Sequence, residues 1–229
     1  EAMTRPSSQR PAWVERLGAV AGLLLAGTCL AAPVTVIHEL APASKDLDLT
    51  ASYRLNQTGQ VVGYSALATQ PAAPVFLSTA WAPTATGAAA VELQSVQTPG
   101  TLRSVALAIN DAGVIAGLVE GQLARWTPNP GGGWGAAQLL GKPAGVTNFS
   151  VLGIGDDGVI GGQYFKCANA DCSQGNTRSW IYANSSYTEI GPVTGLSTEF
   201  RAMNDQGDAL LDHTVQLNQT RIQVRKADG

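Results

Sequence analysis

Two histidines, His38 and His213, are the chain's whole supply of imidazole for acid–base, nucleophilic or metal chemistry. A Ser-His-Asp hydrolase needs one of them beside a serine on a strained elbow, and no Gly-x-Ser-x-Gly occurs. Both fall in segments that read as strands, and they could approach as a metal pair if those strands were neighbours. No carboxylate cluster completes a ligand set, so ordinary strand residues is the simpler reading. No Walker loop, dinucleotide fingerprint or His-Glu-x-x-His helix is present. Gly131-Gly132-Gly133 reads as a hairpin loop, because no helix follows to offer a phosphate its N-terminus. No cofactor and no metal are expected.

Carboxylates are the other chemistry to test. Glycoside hydrolysis needs two carboxyls about 5–10 Å apart across a sugar-sized cleft. Asp46 and Asp48 lie near the N-terminus, whereas Asp156, Asp157, Asp205 and Asp208 sit at or beside tight turns, where turn duty accounts for them. Trp81, Trp126, Trp134 and Trp180 point to a contacting face or to packing between sheets: Trp126 and Trp180 suit the core, and Trp134, after the Gly-rich loop, is the most exposed candidate for a binding face. Cys167 and Cys172 bracket Ala168-Asn169-Ala170-Asp171. A disulfide would clip that loop. Half of a metal site using Asp171 is the rival, with no second Cys pair or nearby His to support it. Irregular loops on regular scaffolds carry binding, which makes Asn169 and Asp171 weak candidates as well.

Hydrophobic residues make up 45% of the 229 and charged residues 14%, with 26 glycines and a net charge of −3. That excludes an electrostatic nucleic-acid binder, intrinsic disorder and long charged helices. Arg5, Arg10 and Arg16 precede an uncharged run from Leu17 to Ala32, the pattern of a secretory signal peptide and too short to span a bilayer. Cleavage is expected after Ala31, since a cut after Ala32 would set Pro33 at the scissile bond. A buried or membrane-anchoring helix and lipid attachment at Cys29 are the alternatives. Removal of residues 1–31 takes away three arginines and two glutamates, leaving 11 basic against 15 acidic residues. The product is a secreted, periplasmic or surface chain in an oxidising compartment.

What must position these residues is a repeat. Leu55-Asn56-Gln57-Thr58-Gly59, Ile109-Asn110-Asp111-Ala112-Gly113, Ile154-Gly155-Asp156-Asp157-Gly158 and Met203-Asn204-Asp205-Gln206-Gly207 align, their glycines 54, 45 and 49 residues apart. Asn first and Gly fourth is the preference of a type I turn whose Asn side chain caps local N–H groups. The Gly then takes positive φ and the chain re-enters an antiparallel partner. Gly155 replaces the Asn of the third copy, which predicts that this turn leans on Asp156.

Around each turn the pattern gives four short strands. The second unit reads Ser104–Ile109, Val114–Val119, Gln122–Thr127 and Ala136–Leu140. The first reads Ala51–Leu55, Val61–Ala66, Val75–Ala80 and Val91–Val96; the third reads Phe149–Ile154, Val159–Phe165, Arg178–Ala183 and Tyr187–Ile190. Four strands in about 45 residues is the signature of a β-propeller blade. The expectation is an all-β, four-bladed propeller over residues 32–229. Its fourth blade has room after Gly207 for only Asp208–His213 and a strand within Gln216–Arg225. The orphan strand Val34–Leu40 could fill the vacant place and close the ring. A fragment of a larger propeller is the competing architecture.

The run Ile109-Asn110-Asp111-Ala112-Gly113-Val114-Ile115-Ala116-Gly117, with Leu55 to Ser65, resembles the HAF family of extracellular repeats. The aromatic strand of that family is similar to Val75-Phe76-Leu77, Ala124-Arg125-Trp126 and Ser179-Trp180-Ile181. The resemblance covers Val34 to Gly207 and implies secretion and a repeat scaffold, with no catalytic residues to carry over. The expected function is a secreted, non-catalytic binding or surface-interaction module for an extracellular protein or glycan. The alternative is a propeller hydrolase or lyase acting on polysaccharide, or a functional part beyond Gly229.

Overall fold

The computed structural model describes residues 39–67, 75–84, 87–94, 103–191, 197–216 and 219–226. The chain divides into two units, 1–37 and 38–229, and every described residue belongs to the second. The expected signal segment, its cleavage residues Ala31 and Ala32, Cys29, His38 and the strand 34–38 lie outside the described residues; Glu39 and Leu40, at the end of that segment, are not in a strand.

The described residues form no helix and fold into four antiparallel sheets, each a meander in chain order. Sheet 1 holds β1 (Leu49–Leu55), β2 (Val61–Ala66), β3 (Phe76–Thr84) and β4 (Gly87–Glu92). Sheet 2 holds β5 (Ser104–Ile109), β6 (Ile115–Val119), β7 (Gln122–Trp126) and β8 (Gln138–Gly141). Sheet 3 holds β9 (Val146–Ile154), β10 (Ile160–Cys167), β11 (Gly175–Ala183) and β12 (Ser186–Ile190). Sheet 4 has three strands, β13 (Ser197–Met203), β14 (Ala209–Gln216) and β15 (Gln219–Arg225). The expected strand Val91–Val96 is displaced to Gly87–Glu92. The Ala82–Ala89 and Thr84–Gly87 pairs extend the β3–β4 hairpin through an alanine-rich stretch with little strand propensity of its own.

A backbone irregularity explains the last glycine of the repeat. The first strand of every sheet breaks register at an equivalent place, between Ser52 and Arg54, Ala106 and Ala108, Val151 and Gly153, and Phe200 and Ala202, and β9 breaks again between Thr147 and Ser150. In the first three sheets a glycine faces that break. A Cβ on Gly63, Gly117 or Gly162 would overlap the carbonyl oxygen of Ala51, Val105 or Ser150. The bulge brings the two backbones too close for a side chain. In sheet 4 the break persists with Leu211 opposite.

Successive sheets are joined by their faces. Val62, Ala80, Ile115 and Trp126 fill the space between sheets 1 and 2. Leu123, Phe149, Val151 and Trp180 fill that between sheets 2 and 3, with the Phe149 and Trp180 rings stacked 4.8 Å apart. Ile181, Phe200, Ala209 and Leu211 join sheets 3 and 4. Burial of such side chains contributes roughly 1.5–3 kcal/mol each and dominates the cohesion of the array. Two seams add a polar stitch: the Ser78 amide donates to Ser104 Oγ at 2.9 Å, and Ser179 Oγ donates to the Thr198 carbonyl at 3.2 Å. Leu49, Tyr53 and Leu55 of sheet 1 and Leu210, Ile222 and Val224 of sheet 4 remain exposed.

The registers also define equivalent positions. Trp81, Trp126 and Tyr182 each pair with the first residue of the strand after the repeat turn: Val61, Ile115 and Ile160. The aromatic partner of Trp126 in sheet 3 is therefore Tyr182, and Trp180 occupies a different register position. Trp81 Nε1 donates to the Ala41 carbonyl at 2.7 Å and Trp126 Nε1 to the Gln94 carbonyl at 2.9 Å, so Ala41 and Gln94 play the same part for consecutive sheets.

Candidate functional site

The four repeat turns meet. Each closes with a bond from its glycine amide to the carbonyl three residues back (Asn56, Asn110, Gly155 and Asn204), at 2.9–3.0 Å. Gly59, Gly113, Gly158 and Gly207 all have φ near +80°, between 78° and 83°, a conformation in which glycine carries no steric cost. The Oδ1 atoms of Asn56, Asn110 and Asn204 cap the amides of Gln60, Val114 and Asp208 at 2.8–2.9 Å. In the third copy the cap is Asp157, accepting from the Val159 amide at 2.9 Å. This corrects the expectation for Asp156. Asp156 faces outward from its turn and takes the Asp111 amide at 3.0 Å.

The turns are also linked in sequence. Asn56 Nδ2 donates to the Asn110 carbonyl at 3.0 Å, and Asn110 Nδ2 donates to the Gly155 carbonyl at 2.9 Å. The Gln57 amide donates to Asp111 Oδ1 at 2.8 Å. The third and fourth turns join by backbone, Asp156 N–H to the Asp205 carbonyl at 2.6 Å. A Cβ on Gly155 would lie 2.7 Å from the Gly207 nitrogen, so that close approach excludes an Asn there. Gln57 Nε2 reaches Asp205 Oδ2 at 3.5 Å, joining the first turn to the fourth. Asp156, Asp157 and Asp205 line a shallow cavity of about 620 Å³ at this end. Asp156 and Asp157 each accept a backbone amide, as does Asp111 beside them.

The other expected candidates are distributed around the sheets. Cys167 and Cys172 form a disulfide, with Cα atoms 4.7 Å apart. Within its loop Asn169 Nδ2 donates to Ser173 Oγ at 2.8 Å, and Asp171 Oδ1 accepts the Ser173 amide and hydroxyl at 3.1 and 2.9 Å. Those two bonds, the backbone one foremost, hold the Asp171 carboxyl below its ordinary range. Both polar side chains thus serve the loop's own turns. Trp134 is half-buried, more accessible than the fully buried Trp81, Trp126 and Trp180. Its indole donates to the Gly113 carbonyl at 2.7 Å and folds the β7–β8 loop over the second turn. His213 is buried between Thr198 Oγ1 at 3.0 Å and Gln223 Oε1 at 2.6 Å. No group of three His, Cys, Asp or Glu suited to a metal occurs among the described residues.

A deeper polar groove lies between sheets 2 and 3. Its volume is about 490 Å³, and its walls include Arg125 and Gln138 from sheet 2 with Asp157, Tyr182, Asn184 and Ser185 from sheet 3. The repeat explains why it opens here. Two residues after Trp81 and Trp126 stand Pro83 and Pro128, whose rings would lie 3.6 and 3.7 Å from a Cβ placed on the turn glycines Gly59 and Gly113. Two residues after Tyr182 stands Asn184, and nothing lies within 4 Å of where a Cβ on Gly158 would be. The β11–β12 connection is a two-residue turn, Asn184-Ser185, whereas sheet 2 has the long loop carrying Trp134. The third turn is left without a lid. Both turn residues hold left-handed φ, 51° and 61°, where glycine is the cheaper choice.

Arg125 was missed because strands are read for their apolar face. It pairs with Ala116 and Gln138 across β6 and β8. Its equivalents beside Trp81 and Tyr182 are Ala80 and Ile181, both buried. A repeat alignment on the aromatic of the third strand would have marked both departures, Arg125 and Asn184. Neither a protein-family profile nor a curated protein sequence matches this chain.

Proposed function

We propose that the chain is a secreted β-propeller of the HAF kind that works as a non-catalytic binding module, with a glycan in the groove between sheets 2 and 3. The observation that carries this reading is the groove's lining. A guanidinium, two amide side chains, a carboxylate and the hydroxyl-bearing Tyr182 and Ser185 surround a volume within the roughly 300–1,000 Å³ of small-ligand sites. Such donors and acceptors match the hydroxyl array of a saccharide. Secretion is supported by the Cys167–Cys172 disulfide, a bond that persists in oxidising compartments. The blade-like run of sheets and the linked circuit of turns support the propeller.

A propeller hydrolase or lyase is the second reading, favoured by the convergence of Asp156, Asp157 and Asp205 on one cavity. Against it weighs that Asp156 and Asp157 each already hold a backbone amide in shaping and linking the turns. A glycan array probed with residues 32–229, paired with a reducing-end and unsaturated-product assay on the bound sugars, separates the two. Binding without product formation is expected. Product release establishes the enzyme instead, and an array with no binding overturns the glycan and leaves protein partners.

A further inference from the structure

We infer that the groove between sheets 2 and 3 selects acidic saccharides, with Arg125 taking the sugar carboxylate; this rests on the reading of that groove as a glycan site. Arg125 replaces Ala80 and Ile181 at a position that is otherwise buried and apolar, so its charge has no part in the shared packing of the sheets. Its Nη2 donates to Gln138 Oε1 at 2.7 Å, which fixes the plane of the guanidinium from one side. Its Nε is buried and makes no hydrogen bond, which leaves the Nη atoms as the donors that can meet a ligand. Arg201, Lys166 and Lys226 all hold carboxylate partners, and no carboxylate of the described residues pairs with Arg125. A guanidinium oriented by a neutral amide, with donor capacity left over at the edge of a polar groove, is built for a bidentate acid from outside the chain.

Asp157 sets the second half of the selection. Its Oδ1 is committed to the Val159 amide, and it lines the same groove as Arg125. The two walls therefore differ in sign. A ligand with one carboxylate and neighbouring hydroxyls satisfies both, its acid on Arg125 and a hydroxyl donating to Asp157. A polyphosphate or sulfate-dense chain would bring charge against Asp157. Asn184 and Ser185 complete the rim with an amide and a hydroxyl, on a turn where glycine would be less strained. Net charge runs against non-specific capture: at −3 overall the chain offers an acidic polymer no long-range attraction, so recognition is local to the groove.

The test is titration of the protein with trigalacturonate and with its fully methyl-esterified form, which keeps the rings and removes the charge. Wild type is expected to bind the acid at least tenfold more tightly than the ester. Arg125→Gln is expected to erase that difference, chiefly by loss of affinity for the acid, while leaving the thermal midpoint near wild type. Arg125→Lys, which keeps the charge and loses the fork, is expected to retain part of it, and it reports on the site should the glutamine variant fold poorly. Equal affinity for acid and ester in wild type overturns the acidic selection and leaves the glycan groove standing. Binding of neither overturns the groove itself, and a preference unchanged in both variants moves the carboxylate away from Arg125.

Discussion

Asn110 Nδ2 donates to the carbonyl of Gly155, 45 residues away, at 2.9 Å, while its Oδ1 accepts the Val114 amide at 2.8 Å. One buried amide therefore shapes its own turn and ties it to the next sheet. Asn56 repeats the arrangement toward Asn110. Asn204 caps its turn in the same way but is exposed, and its Nδ2 stays within the turn on Asp208 Oδ2 at 3.2 Å.

This contrast orders the stability of three variants. Asn110→Ala leaves the half-buried Val114 amide without its partner and strips the buried Gly155 carbonyl of its second donor, at a cost of about 2 kcal/mol. Asn56→Ala is expected to cost nearly as much. Asn204→Ala, whose orphaned groups meet water, should cost about 1 kcal/mol. Denaturant unfolding of the three proteins measures the order; equal losses would show that the link between turns adds nothing to the cap.

Gly117 faces the break in β5, where an added methyl would overlap the Val105 carbonyl. Gly117→Ala is expected to cost about 3 kcal/mol or more, since relief requires moving backbone. Gly131→Ala is its control, with no atom within 4 Å of the new methyl and no left-handed φ, and should stay within about 0.5 kcal/mol of wild type. Thermal unfolding compares the pair.

Glu189 gathers Tyr164 Oη at 2.6 Å and Lys166 Nζ at 2.8 Å on one oxygen. Burial raises its carboxyl, but the bonds from Lys166 and Tyr164 outweigh that and leave it below the ordinary range. Burial together with the same carboxylate pushes the Tyr164 phenol up. A folded-state value below the unfolded one means stability present above the unfolded pKa of about 4.3 and lost as pH falls through the lower folded value. Glu189→Gln is accordingly expected to lower the thermal midpoint at pH 7 and to flatten its decline between about pH 5 and 3. Midpoints across that range, wild type against variant, check the sign.

What the sequence by itself determined is everything with a local cause. Asn first and Gly fourth specify a turn because the cap and the positive φ are satisfied within five residues, so the corners at 56–59, 110–113 and 204–207 were legible, as were the short strands around them. The Cys167–Cys172 clip was legible for the same reason, its partners being one loop apart. Tertiary structure decided whatever depends on a second sheet. Asp157 rather than Asp156 caps the third turn because Asp156 is drawn to the Asp111 amide of another sheet. Gly155 is required by the approach of Gly207, 52 residues on, and the motif's last glycine by a bulge in the strand opposite. The groove at Arg125 exists only where a missing proline and a short turn on sheet 3 come up against sheet 2. Pairing over such distances leaves no periodic mark on the chain, because each partner is chosen by where the other sheet lies and not by its neighbours in sequence.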